Sequence, residues 1–186
     1  MASSSDATRA RFFLTLAVVC LASAHEAGAR VLITQEKALA EAFPGASVTR
    51  KDAFLTDAQA KRVEELSGTA PSSRVVAYYV AAKDGRISGT AYFDTHVVRT
   101  LPETVMIVVD ADGAVAKVEV LSFEEPPEYL PKPKWFEQFK SRKLSKDLVP
   151  GRGIPVVTGA TLTSRAVAGA VRRALALHAV LEAPAP

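Results

Sequence analysis

Two pairs of strand-like segments, each joined by a short turn that contains Asp and Gly, constrain the fold of this chain most strongly. The segments are rich in β-branched and aromatic residues, and they span residues 74–82, 86–98, 104–109 and 115–121. Gly85 and Gly113 lie in the two turns, where glycine readily adopts the positive φ of a tight hairpin turn. The sequence therefore predicts an antiparallel sheet built from two hairpins.

Helical patterns flank the hairpins. We predict one helix over residues 34–43, a second over 56–66, and a last one that begins at 161 or 163 and ends at about 181. Thr56 is followed three residues later by Gln59, which is the spacing of a capping box. Together the elements predict an α+β fold, with the antiparallel sheet packed by helices on one side.

A proline-rich segment over residues 123–155 separates the second hairpin from the last helix. We predict one short helix within it, over about residues 134–139. A flexible linker is the alternative interpretation. The segment carries too much apolar surface for a solvated linker, so we expect it to cross the sheet in an ordered form and to pack on it. The apolar residues concerned are Tyr129, Leu130, Trp135, Phe136 and Phe139.

The first residues have the pattern of a secretory signal peptide. Arg9 and Arg11 precede an apolar run over residues 12–24, which ends in small residues. The run is shorter than the roughly 20 residues that a membrane-spanning helix needs, which favours cleavage over anchoring. Cleavage after Ala24 and cleavage after Ala29 both fit the small-x-small pattern. We take residues 1–29 as the signal and expect an extracytoplasmic protein.

Charge and cysteine content exclude several classes of function. The formal net charge is only +3, and the basic residues are spread along the chain, so we expect no nucleic-acid partner. The one cysteine, Cys20, lies inside the apolar run, and the cleaved chain is therefore expected to contain none. Disulfides, thiolate metal sites and iron–sulfur clusters are then excluded. We assign no metal ligand.

A cluster of hydroxyl residues opens the predicted last helix and directly follows the strand-like residues 154–157. Free backbone N–H groups and the positive end of the helix dipole converge at such a place, which makes it attractive to a phosphate. Arg165 could add positive charge from the first turn. A simple helix cap is the alternative, although a cap needs only one hydroxyl. The predicted binding residues are Thr158, Gly159, Ala160, Thr161, Leu162, Thr163 and Ser164.

The sequence TGATLTSRAV, which begins at Thr158, resembles the flavin-attachment motif of the small FMN-binding domain. That domain occurs in the Rnf G subunit, the Nqr C subunit and regulators of nitrous oxide reductase. The resemblance covers roughly residues 74–180. It implies that a flavin transferase joins the phosphate of FMN to Thr161 as a phosphoester. It also implies an FMN-binding domain, which we place over residues 71–186. The two predicted helices before it make residues 30–70 an N-terminal helical segment.

The function that this resemblance implies is that of an exported FMN-binding electron-transfer protein, in the periplasm or at the outer face of the membrane. The implied partners are a flavin transferase and a redox partner, such as a cytochrome or a membrane electron-transport complex. We expect an electron carrier or a subunit of a redox complex rather than a stand-alone enzyme. The alternative is a non-redox or sensory interaction module of the same fold, with noncovalent flavin or none. Ile154 favours this alternative, because the family usually has Asp seven residues before the modified threonine.

Several other residues have side chains that can bind ligands or take part in catalysis, but we predict a structural role or solvent exposure for each of them. A single strand histidine, His96, is expected to be solvated. Trp135 is expected to pack in the core rather than on a flavin ring. Three acidic residues beside prolines are expected to form a solvated loop edge rather than an acid–base or cation site; they are Glu124, Glu125 and Glu128. We assign no catalytic residue.

Overall fold

The computed structural model of the protein describes residues 30–182. The predicted signal peptide, residues 1–29, lies outside the described residues. The strands are β1 (Ser47–Phe54), β2 (Val75–Lys83), β3 (Arg86–Val97), β4 (Pro102–Asp110) and β5 (Val115–Phe123). The helices are α1 (Gln35–Ala42), α2 (Asp57–Ser67), α3 (Pro133–Phe136) and α4 (Thr161–Glu182). Within this part of the chain, no helix is both long enough and apolar enough to span a bilayer.

The strands form one antiparallel sheet in the order β1-β2-β3-β4-β5. The α+β class and both hairpins are confirmed. Strand β1 was not predicted, and it adds a fifth strand from within the segment 30–70, which was expected to be helical. Its sequence carries Arg50, Lys51 and Asp52 at its centre and lacks apolar alternation. Charged residues of this kind suit an exposed edge strand, and the register of β1 comes from pairing with β2.

The caps of the first two helices follow the sequence prediction. The hydroxyl of Thr34 accepts a hydrogen bond from the N–H of Lys37 at 3.3 Å. Thr56 and Gln59 form a complete capping box, in which each side chain accepts a hydrogen bond from the backbone N–H of the other residue, at 3.2 and 2.9 Å. These helix starts depend on local hydrogen bonds, which explains why the sequence alone located them.

Helix α4 packs on one face of the sheet and α1 on the other. Strand β4 has an unbroken apolar run over residues 105–109, and alternate residues of this run belong to two separate core clusters. Val105, Ile107 and Val109 pack with α4, whereas Met106 and Val108 pack with α1. The expectation that the helices lie on one side is therefore wrong for α1. A strand that is apolar at every position is typical of a sheet covered on both faces.

The proline-rich segment is ordered and packs on the α4 side of the sheet, as predicted. Phe139 is fully buried in the core cluster that contains α4, together with Leu148. Trp135 makes edge-to-face contacts with Phe136 and Phe139, and its indole N–H donates to the carbonyl of Pro155 at 2.8 Å. Trp135 therefore has a packing role, and the indole fixes the chain just before α4.

Residues 154–157 are not a strand, which corrects the interpretation of the sequence before α4. Ile154 makes a single isolated bridge to Pro150, and the chain then continues without regular pairing. Pro155 has no N–H to give to a ladder. The side chain of Ile154 is only 1% exposed and belongs to the α4-side core, so the apolar character that suggested a strand reflects burial.

Replacing Phe139 with Ala should lower the free energy of unfolding by about 3–5 kcal/mol, because it removes a buried aromatic ring and leaves a cavity. The matched control is Phe54→Ala, since Phe54 is 75% exposed on β1 and its loss should have little effect. Urea denaturation of both variants measures the difference. Equal stability of the two variants would show that the proline-rich segment is not part of the core.

Candidate functional site

The start of α4 depends on the backbone conformation of Gly159. This residue has φ +84°, and a Cβ built there would meet no atom within 4 Å. Glycine is therefore favoured by the left-handed conformation and not by lack of space. The side chain of the next residue, Ala160, is buried. The turn of Gly159 directs the chain into the first turn of α4.

Three backbone N–H groups at the start of α4 have no acceptor within residues 30–182. The N–H of Ala160 donates to the carbonyl of Val157 at 3.0 Å, and the N–H of Ser164 donates to the carbonyl of Ala160 at 2.9 Å. Between them, Thr161, Leu162 and Thr163 occupy the first helical positions, where N–H groups lack intrahelical partners. These three donors and the helix dipole favour a bound anion.

The four hydroxyls of the motif have different environments. Thr163 is buried and donates to the carbonyl of Tyr129 at 2.7 Å. Ser164 is also buried and donates to the carbonyl of Ala160 at 2.9 Å. Thr158 is exposed. Thr161 is half-buried, and its contact with the carbonyl of Val157 is long, at 3.5 Å. The Thr161 hydroxyl is thus accessible and only weakly engaged.

A cavity of about 220 Å³ lies against this helix start. Five of the seven predicted binding residues line it, together with two residues that the sequence analysis did not select; the full lining is Arg99, Tyr129, Gly159, Ala160, Thr161, Leu162 and Thr163. Thr158 and Ser164 are not part of the lining. Arg165, the cation that the sequence suggested, is exposed and does not line the cavity either.

The positive charge at the cavity comes from Arg99, in the turn between β3 and β4. Its guanidinium carbon lies 4.7 Å from the centroid of the Tyr129 ring, which is the arrangement of a cation–π contact. Neither residue is near the motif in sequence. Their approach depends on the fold, since Arg99 follows β3 and Tyr129 follows β5. No sequence signal marked them.

Glu125 holds the turn that carries Arg99. One of its carboxylate oxygens accepts the N–H groups of Arg99, Thr100 and Leu101, at 3.1, 2.7 and 2.9 Å. These hydrogen bonds, led by those from Thr100 and Leu101, lower the pKa of the Glu125 carboxyl. The side chain is buried. The expectation of a solvated loop edge is therefore wrong for Glu125, because its carboxylate satisfies three turn donors that would otherwise lack partners.

Below the same turn lies a chain of charged side chains on β3, β4 and α4. Arg173 makes a two-point ion pair with Asp94, at 2.7 and 2.8 Å. His96 lies between two carboxylates, with its Nδ1 2.8 Å from Asp94 and its Nε2 3.0 Å from Glu103. Glu103 is fully buried, and its second oxygen has no hydrogen-bond partner in the described part of the chain. The expectation that His96 is solvated is wrong.

Positive and negative side chains alternate along this network, and the pKa values of its members are shifted as a result. Burial acts to lower the pKa of His96, but its hydrogen bonds to Asp94 and Glu103 outweigh burial and raise the pKa to about 9. Burial acts to raise the pKa of Asp94, but hydrogen bonds from His96 and Arg173 lower it to about 2. Burial raises the pKa of Glu103. His96 is therefore protonated at neutral pH and links two strands by charge.

A larger cavity, of about 400 Å³, lies where β2 and β3 diverge. The ladder between these strands begins at Tyr78 and Tyr92, and the cavity lies beyond it, beside Arg50, Ser72 and Phe93. None of residues 158–164 lines this cavity. Among residues 30–182, no group of three or more His, Cys, Asp or Glu side chains is arranged to hold a metal ion.

Comparison with known families agrees with the chemistry of the smaller cavity. Residues 101–176 match the family described as the FMN-binding domain. The match to this family indicates FMN as the cofactor. The resemblance seen in the sequence is confirmed. No curated protein matches the chain.

The residues at the cavity fit the phosphate end of FMN. Three free N–H groups at a helix N-terminus, one accessible hydroxyl and one guanidinium are the donors that a phosphate dianion accepts. All of them come from Arg99 and residues 161–163. Arg99 lies just outside the residues that the family match covers.

The protonation of His96 should make stability depend on pH. Its pKa is raised from 6.5 to about 9 on folding, so its contribution is complete below pH 6.5 and is lost as pH rises through about 9. That contribution is at most roughly 3 kcal/mol. The His96→Gln variant should be less stable at about pH 6 and should lose less stability between about pH 6 and pH 10. Urea denaturation at both pH values tests this, and an unchanged pH dependence in the variant would contradict it.

Proposed function

We propose that this protein is an exported FMN-binding electron-transfer protein, whose flavin phosphate binds at the start of α4 and is esterified to Thr161. One observation carries the assignment of the anchor. Of the four hydroxyls in the motif, that of Thr161 alone lines the cavity without a short hydrogen bond to a carbonyl. It also lies beside the free N–H groups that a phosphate would accept.

Attachment requires an activated flavin donor, and a flavin pyrophosphate ester is the chemical class that provides one. The Thr161 oxygen forms a bond to the phosphorus on the flavin side. The pyrophosphate bond breaks, a nucleoside monophosphate leaves, and the hydroxyl proton passes to a base on the transferase or to water. The chain contributes the acceptor hydroxyl and the N–H groups of residues 161–163, which stabilise the charge on the phosphate oxygens.

The position of the cavity supports a role in electron transfer. The cavity is open at the surface, and Leu162 at its edge is 44% exposed. A flavin anchored there by its phosphate would remain accessible to a protein partner. FMN itself supplies the electron chemistry. The partners that suit such a carrier are a flavin transferase and, for the redox step, a cytochrome or a membrane electron-transport complex.

A tether has a physical advantage outside the cytoplasm, where a cofactor lost from a noncovalent site is not replaced. This argument connects the proposed export, which depends on residues 1–29, with the proposed phosphoester at Thr161. A covalent anchor keeps the flavin on the chain when its noncovalent contacts are transiently broken. The working lifetime of the flavin-loaded protein would then depend on the stability of the fold and not on the rate of cofactor dissociation.

A second candidate is an interaction or sensory module that holds FMN noncovalently or holds no flavin. The observation that favours it is the burial of Ile154 in the core, where the family usually has Asp. An apolar, buried side chain offers a transferase no charge to recognise. Denaturation separates the candidates: a tethered flavin stays with the precipitated protein, noncovalent FMN passes into the supernatant, and a flavin-free module is colourless.

Intact-mass analysis tests the anchor directly. After export in a cell that expresses a flavin transferase, the wild-type protein should carry the added mass of one FMN phosphoester. Thr161→Ala should carry none, because the acceptor oxygen is gone, whereas the matched control Thr158→Ala should carry it. An adduct that persists in Thr161→Ala would place the anchor elsewhere. A wild type without adduct, beside a modified reference flavoprotein, would leave the noncovalent candidate.

A further inference from the structure

We infer that Arg99 is the cation that recognises the FMN phosphate and that Glu125 is the positioning residue that places it there. This inference rests on the proposed function, because it takes the start of α4 as the phosphate site. It does not require the phosphoester at Thr161. The geometry that supports it lies in the turn between β3 and β4, which brings Arg99 to the cavity.

Arg99 is exposed and contacts an aromatic ring rather than an anionic partner. Its guanidinium carbon lies over the Tyr129 ring, at 4.7 Å from the centroid. It forms no ion pair within residues 30–182. Two arginines of α4 are already engaged: Arg173 pairs with Asp94, and Arg172 donates to three backbone carbonyls. Arg165, in the first turn of α4, does not line the cavity. The charge of Arg99 is thus available to a ligand.

The cation–π contact leaves the guanidinium N–H groups of Arg99 without a hydrogen-bond acceptor among residues 30–182. A guanidinium that lies on an aromatic ring uses its face for the cation–π contact, and its N–H groups remain free in the plane. A planar pair of N–H donors matches two phosphate oxygens. Tyr129 is itself fixed, because its carbonyl accepts the hydrogen bond from Thr163 in the first turn of α4. The ring that Arg99 contacts is therefore connected to the same helix turn that supplies the free N–H groups.

Glu125 fixes the other side of this arrangement. Its oxygen accepts three consecutive N–H groups of the turn, which restricts the backbone from which the Arg99 side chain extends. A carboxylate beside an anion site would normally repel a phosphate. Here three N–H dipoles of the turn are directed at one oxygen of the carboxylate and offset its charge locally.

This arrangement predicts selectivity for the phosphate of FMN over riboflavin, which lacks it. Losing a charge-assisted contact to phosphate should weaken FMN binding by about tenfold to a hundredfold. Riboflavin binding should stay nearly unchanged. Arg99→Lys should keep part of the preference, because the ammonium keeps the charge but lacks the planar fork.

The experiment uses the full chain produced without a flavin transferase, so that binding is reversible. FMN and riboflavin are titrated separately and followed by flavin fluorescence. The variants are Arg99→Ala, Arg99→Lys and Glu125→Gln. Two control arginines are replaced in the same way: Arg165→Ala, exposed on the first turn of α4, and Arg50→Ala, beside the larger cavity. Thermal melts confirm that each variant is folded.

Arg99→Ala should lose affinity for FMN but not for riboflavin. Both control variants should bind the two flavins as the wild type does. For Glu125, the test is coupling. Glu125→Gln should weaken FMN binding in the wild-type background and should add little in the Arg99→Ala background, because its effect passes through Arg99. A general loss of structure would instead weaken FMN and riboflavin equally and would add in both backgrounds.

Three results would overturn the inference: equal loss of FMN and riboflavin in Arg99→Ala, an equal effect of Arg165→Ala, or a wild type that binds FMN no tighter than riboflavin. Failure of the proposed function gives a different pattern. If no mass adduct forms but FMN binding still depends on Arg99, covalent attachment fails and the inference stands. If Gly159→Val, which disturbs the start of α4, leaves FMN binding unchanged, the proposed location of the phosphate fails.

Discussion

The packing of α4 on the sheet is the constraint on which the site depends. Its apolar face, which includes Val167, Val171 and Ala174, closes the core above β4. Once this face is buried, the axis of α4 is fixed. Its first turn must then lie at the end of the sheet where the turn between β3 and β4 is found. The free N–H groups of that turn are therefore held beside a loop by a packing interaction formed along the rest of the helix.

Polar contacts join the two sides of the cavity. Thr163 connects α4 to Tyr129, and Glu125 connects the turn of Arg99 to the chain after β5. Below them, His96 links β3 to β4 between two carboxylates. The side chains of Thr163, Glu125 and His96 are buried or half-buried, so breaking one of their contacts leaves an unpaired polar group and costs more than a surface hydrogen bond. The free-energy cost of leaving these polar groups unpaired therefore helps to keep the proposed phosphate site in one geometry.

The sequence predicted what local chemistry determines. The hairpin turns, the capping box of Thr56 and the hydroxyl cluster of α4 are each set by residues a few positions apart. Strand β1 was not predicted, because an edge strand with a charged centre obtains its register from its neighbour. Arg99 and Glu125 were not recognised as site residues for a related reason. They are 26 positions apart, and the antiparallel pairing of β4 with β5 brings the chain after β5 beside the turn that precedes β4. Ile154 shows a further limit. Its apolar character predicted a strand, whereas in the fold the side chain is buried in the core without regular strand pairing.

We propose that FMN binds with its phosphate between the start of α4 and the turn that carries Arg99. Backbone amide chemical shifts measured by NMR during an FMN titration test it most directly. Binding at this place should produce the largest chemical-shift changes at Thr161, Leu162 and Thr163, with smaller changes over residues 99–101. Largest changes at Ser72 and Phe93, beside the larger cavity where β2 and β3 diverge, would contradict it.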